Sequence, residues 1–162
     1  MTPLDKARWL GLLVPAALLA GALGSQYIGG LHPCQMCHWQ RWGHYAALGL
    51  TVLSFAFRGG RSDGRPFVWL AMLGILSSGL VGVFHAGVEA DLWEGLTRCT
   101  SGVGSGSTQD ILADIMATPL VRCDDIQWSF LGISMAGWNA IWSIGFAMVM
   151  TWLLTRRSPA RA

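Results

Sequence analysis

The residues of this 162-residue chain best able to do chemistry are four cysteines, at positions 34, 37, 99 and 123. The first two stand in Pro33-Cys34-Gln35-Met36-Cys37-His38-Trp39-Gln40-Arg41, where a polar loop runs into a long apolar segment. The pattern predicts a helix begun near Pro33, since proline suits a first helical position where its missing N–H is not needed. At about 100° per residue, Cys34, Cys37, Arg41 and His44 then share a stripe roughly 80° wide. Two thiols and a cation on one face, at a helix N-terminus whose dipole favours a thiolate, make a reactive arrangement.

Several chemistries are open to such residues. A Cys99–Cys123 bridge would stabilise a fold by about 3.5 kcal/mol in the chain-entropy picture, so purely structural bridging is one. Thr100 to Ser107, however, is Gly/Ser-rich, which gives Cys99 the access that thiol exchange with another protein requires. One tight pair near lipid and one mobile, water-exposed pair then read as a relay. Cys34-Gln35-Met36-Cys37-His38 also matches the C-x-x-C-H string of covalent c-type haem attachment, with His38 as axial ligand and His85 or a methionine opposite. That reading leaves Cys99 and Cys123 without a role and sets a porphyrin where a helix enters lipid. A metal held by the pair with His32 or His38 falls short of the four ligands that zinc takes. We expect no resident metal, and nothing points to a nucleic-acid partner.

The elements that must position these residues are apolar helices. The chain is 52% hydrophobic and only 12% charged, with nine tryptophans. Its apolar residues cluster into four stretches long enough for a core of about 30 Å, which takes roughly 20 helical residues. We place spans at about 9–28, 39–57, 67–88 and 133–154, joined by outer loops 29–38 and 89–132. The expectation is one all-α, integral membrane four-helix bundle over residues 1–162. In the second loop, Ser107-x-x-Asp110 followed by Ile111, Leu112, Ile115 and Met116 predicts a short extra helix. Residues 1–24 resemble a signal peptide, but the apolar run continues to Ile28 and carries a small-residue ladder at Ala16, Ala20 and Gly24, so a retained span is the expectation.

Eight of the eleven basic residues lie at Lys6, Arg8, Arg58, Arg61, Arg65, Arg156, Arg157 and Arg161. By the positive-inside rule both termini are cytoplasmic, and all four cysteines face the outer side. In a bacterium this is the oxidising periplasm. Arg41 enters lipid about 10 Å below Cys34, where it either snorkels or faces an intramembrane polar partner. His85, ending the third span, comes to the same level.

Taken together, Pro33-Cys34-x-x-Cys37-x-x-Gln40-Arg41, His85-x-Gly87-Val88-Glu89, Arg122-Cys123-Asp124 and Trp128-x-Phe130-Leu131-Gly132-x-Ser134-Met135 closely resemble the DsbB family of membrane disulfide-generating enzymes over nearly the whole chain. The resemblance implies a quinone-dependent thiol oxidoreductase of the bacterial inner membrane that reoxidises a periplasmic, DsbA-like thioredoxin-fold protein. It implies that Cys99 takes the mixed disulfide and that Cys123 exchanges with the inner pair through Cys34. Cys37 is then the thiolate facing a quinone of ubiquinone or menaquinone type, with Arg41 stabilising that charge and His85 as a second quinone contact. His38 departs from the family pattern, which has an apolar or aromatic residue there. Such a partner is a strong oxidant near −120 mV, so only an acceptor of still higher potential, dissolved in the bilayer, can drain its electrons.

Overall fold

A computed structural model describes residues 1–60, 62–95 and 121–156. They form helices α1 (Pro3–Tyr27), α2 (Gln35–Ala56), α3 (Arg65–Glu89) and α4 (Met135–Thr155), with a two-stranded hairpin, β1 (Ser129–Phe130) and β2 (Ile133–Ser134), just before α4. The architecture is all-α with four long helices, and α1, α3 and α4 are each long and apolar enough to cross a membrane. The fourth, α2, is 22 residues long, but its first half carries Gln40, Arg41 and His44, which are buried against the other helices. The short helix expected after Ser107 lies outside the described residues, as does Cys99.

The helix starts follow local chemistry. Thr2 caps α1 in a reciprocal capping box with Asp5, and Pro3 occupies the first turn. In α2 the structure departs from expectation by one step: the helix begins at Gln35 and Cys34 itself is the N-cap, its sulfur accepting from the Cys37 N–H at 3.4 Å. Pro33 therefore precedes the cap, and the cysteine pair forms the first turn. The fourth helix likewise starts later than Ile133. Leu131 and Gly132, both at positive φ, make the tight turn of the hairpin. Ser134 then caps α4, accepting from Gly137 N–H at 3.1 Å.

Packing relies on close backbone approach. A Cβ on Gly43 of α2 would stand 2.7 Å from the Gly74 carbonyl oxygen of α3, and one on Gly82 of α3 would stand 3.0 Å from the Ala136 oxygen of α4. Small residues at these crossings bring helices together where lipid supplies no hydrophobic drive between them. After α3 the chain folds back, and Trp93 lies over Gly87, donating from its indole N–H to the Phe84 carbonyl at 2.9 Å. Leu13, Val52, Leu80 and Met148 point outward and are exposed, as lipid-facing residues of a bundle are.

The two ends of the bundle differ. At one, fully buried Arg8 pairs with Asp5 at 3.0 Å and with Asp63 at 3.2 Å, while Arg58 also reaches Asp5, at 3.2 Å. This network joins the start of α1 to the α2–α3 turn. The Gly59 N–H and Arg8 together hold the Asp63 carboxyl below the usual carboxylate range. At the other end, buried Cys34, Met36, Val88 and Cys123 form a separate cluster.

Candidate active site

Cys34 and Cys37 lie as a dithiol with Sγ atoms 3.2 Å apart, the Cys34 thiol donating to the Cys37 sulfur. Cys34 is pushed up to about 12 by that hydrogen bond and by burial, so the pair keeps its proton on Cys34. The negative charge then falls to Cys37, whose sulfur receives that hydrogen at the first turn of α2, where the peptide dipoles favour an anion.

Around the pair runs a continuous chain of buried and half-buried polar side chains from three helices. His85 Nε2 is 3.5 Å from Cys34 Sγ and 3.8 Å from Glu89 Oε1, and its Nδ1 meets Gln40 Nε2 at 2.9 Å. Gln40 Oε1 accepts from Asn139 Nδ2 at 2.7 Å, and Asn139 Oδ1 meets His44 Nε2 at 2.9 Å. Ser134 donates to Glu89, tying the end of α3 to the start of α4. Arg41 is 8% exposed and is held by α1, donating to Gln26 Oε1 and, at 3.0 Å, to the Ala22 carbonyl. Its guanidinium is thus turned inward, onto polar groups of α1.

These groups border a cavity of about 450 Å³ whose other walls are α1, α4 and parts of the segments that precede α2 and α4. Its lining includes Cys34, Cys37, Gln40, Arg41, His44 and His85. Such a space, mostly apolar with a few convergent polar groups, is the usual form of a small-molecule site. Among the described residues, Arg41 Nε and His44 Nδ1, buried nitrogens of two residues that line it, have no hydrogen-bond partner. Cys34, Cys37 and His85 also bring their ligand atoms within 4.8 Å of one another, a donor set that a thiophilic ion could use. The histidine beside the pair is thus His85, from α3, while His32 and His38 are both exposed. A porphyrin bonded to both sulfurs would have to displace the Met36, Val88 and Cys123 packing around Cys34.

The structure corrects the expectation of a water-exposed second pair in one respect. Cys123 is 1% exposed, buried against Cys34, Met36 and Val88, while neighbouring Arg122 and Asp124 pair with each other on the outside. The reason is local: Cys123, with half-buried Val121 beside it, packs on the ends of α2 and α3, while Arg122 and Asp125 stay exposed. Sequence reasoning passed over Asn139 and Ser78, and named Glu89 in a motif without giving it a role. The signal for Asn139 was available, because a lone amide inside an apolar span needs a polar partner on another helix.

The sequence is similar to those of known proteins. Residues 5–153 match the family model described as Disulfide bond formation protein DsbB. Relatives named Disulfide bond formation protein B include one from Xanthomonas oryzae pv. oryzae, 32% identical over 94% of this chain and 89% of its own length. Others come from Azoarcus sp. (31% identical, over 88% of this chain and 87% of the relative) and Acidovorax sp. (30%, over 86% and 81%). No solved structure matches the chain. With two thiols poised at a helix start, a third buried beside them and a family match over nearly all its length, the chain belongs to the DsbB family of multi-pass membrane proteins that form disulfide bonds.

Proposed function

We propose that the protein takes electrons from a reduced, DsbA-like periplasmic partner by disulfide exchange and delivers them to a membrane quinone. The observation that carries this reading is the burial of Cys123 in one cluster with Cys34, against a cavity bordered by Cys37, Arg41 and His85. A thiolate on Cys123 is thereby within the neighbourhood of the sulfur it must attack.

The exchange balances as follows. A partner thiolate attacks Cys99 of an oxidised Cys99–Cys123 pair, and Cys123 leaves as thiolate. Cys123 attacks Cys34 of the inner disulfide, and Cys37 leaves as thiolate at the helix start. The partner's second thiol resolves its bond to Cys99, completing the partner's oxidation. Cys99 then attacks Cys123, restoring the loop pair and leaving Cys34 and Cys37 reduced.

The cavity suits a quinone, since it is lined by Arg41, whose buried Nε is without a partner among the described residues. When bound there, a quinone supplies an acceptor for the two electrons and two protons of the Cys34–Cys37 dithiol. Arg41 holds the Cys37 charge and offers N–H groups to a quinone oxygen, a charge-assisted contact of the strong kind. His85, beside Cys34, keeps a proton close to the sulfur that must lose or regain one. The basic residues near Lys6, Arg58 and Arg65 favour a cytoplasmic placement of that end and a periplasmic placement of the cysteines.

Purified protein with a soluble quinone should reoxidise a reduced DsbA-like protein over many turnovers. Cys99→Ser should abolish this while leaving a single quinone-driven oxidation of the inner pair. Sustained turnover of that variant, or none by the unaltered protein, would overturn the proposal.

A further inference from the structure

The buried amide chain has a direction, and that direction assigns a hydrogen to each of two histidines. Asn139 Nδ2 lies 3.3 Å from the Ser78 carbonyl oxygen, which only accepts, so this side of the amide must be the N–H side. Gln40 therefore presents its oxygen to Asn139 and its N–H to His85 Nδ1. In the neutral His85 ring the hydrogen is then on Nε2, the atom 3.5 Å from Cys34 Sγ. A metal ligand needs a lone pair at that atom, so this polarity also opposes an ion among Cys34, Cys37 and His85.

The other side of Asn139 is its oxygen, which also accepts from Ser143 at 3.1 Å. His44 Nε2 lies 2.9 Å from this oxygen and 2.9 Å from Ser78 Oγ; the amide oxygen only accepts, so its close approach puts a hydrogen on Nε2, with the Ser78 hydroxyl oxygen as a second acceptor, and the neutral ring leaves Nδ1 as a bare lone pair. His44 is 3% exposed, and among the described residues Nδ1 has no partner. A buried acceptor left unmet is costly. His44 borders the same cavity as Arg41 and Cys37.

We infer that Asn139, anchored on the Ser78 carbonyl, is a positioning residue that makes His44 Nδ1 a hydrogen-bond acceptor in the cavity for a ligand hydroxyl, and hence for the reduced, hydroquinone form. The ligand class rests on the function proposed above. A quinone carbonyl brings only lone pairs to Nδ1, whereas a hydroquinone hydroxyl brings the missing donor. Preference for the reduced form raises the potential of the bound couple, and a tenfold preference corresponds to about 30 mV for two electrons. This helps a site that must oxidise thiols of an already oxidising partner.

Binding of a benzoquinone with a short isoprenoid tail, and of its hydroquinone, would be measured on the full chain in detergent. Cys34→Ser and Cys37→Ser would be present so that no electrons move. The hydroquinone should bind about tenfold tighter, and His44→Gln, which keeps a donor toward Asn139 but lacks the second ring nitrogen, should remove that preference. Nitrogen NMR of the four histidines gives an independent readout that needs no ligand. The neutral rings should show His44 bare at Nδ1 and His85 protonated at Nε2, with Gln40→Glu moving the His85 hydrogen to Nδ1. Equal binding of both forms, or a hydrogen on His44 Nδ1, overturns the inference and leaves the quinone reading standing. Binding of neither form overturns both.

Discussion

At the scale of single residues, the inner pair is chemically unequal although its two members are one helical turn apart. Cys34 caps the helix, is buried among Met36, Val88 and Cys123, and donates its hydrogen to Cys37. Its thiol is pushed up to about 12, first by that hydrogen bond and then by burial, so it keeps its proton throughout the neutral range. Only thiolates alkylate readily. In the reduced protein, iodoacetamide between about pH 7 and pH 9 should therefore modify Cys37 well before Cys34, with Cys34 labelling staying slow across the window. Peptide mapping by mass after short reaction times reads the order directly. Labelling of Cys34 first would mean that the thiolate sits on the other sulfur and that the charge proposed to face Arg41 is misassigned.

At the scale of elements, the helices set the site by how closely they approach. A Cβ at Gly43 would meet the Gly74 carbonyl at 2.7 Å, whereas one at Gly49, on the same helix, would meet nothing within 4 Å. Gly43→Ala should thus destabilise the protein by about 1–3 kcal/mol through overpacking. Gly49→Ala should stabilise it by about 0.5–1 kcal/mol, as expected where a helical glycine has open space. Thermal unfolding of both variants in one detergent decides this, and equal shifts would deny the close α2–α3 contact. The helices themselves were legible because apolar length and flanking charge are local properties of the chain. So was the stripe of Cys34, Cys37, Arg41 and His44, which follows from helical spacing alone. The hairpin before α4 was not, since its turn uses Leu131 at positive φ, where a leucine gives no turn signal. Nor was the Gln40–Asn139–His44 network, because its members are far apart in sequence and only the packing of α4 on α2 and α3 brings them together. Burial of Cys123 is likewise a tertiary fact that its charged neighbours conceal.

At the scale of the whole molecule, the bundle separates anchoring from chemistry. The Asp5–Arg8–Asp63–Arg58 network binds one end, while the cysteines lie at the far end of α2, whose 22 residues span about 33 Å at 1.5 Å each. That length is enough to cross a hydrocarbon core, and the proposed function puts the two ends at opposite membrane surfaces. The proposed function requires the cysteine end to be periplasmic, since a DsbA-like partner can reach it only there, and the excess of arginine at the other end is consistent with this. Exposed Gly60 and exposed Asp125 mark the two ends. In a chain with all four native cysteines changed to serine, Asp125→Cys should react with a membrane-impermeant maleimide in intact spheroplasts. Gly60→Cys should react only after the membrane is opened. The reverse pattern would place the thiols on the reducing side, where the inner disulfide could not persist and no periplasmic partner could be served. Labelling of both sites in intact cells would deny that α2 reaches across the bilayer.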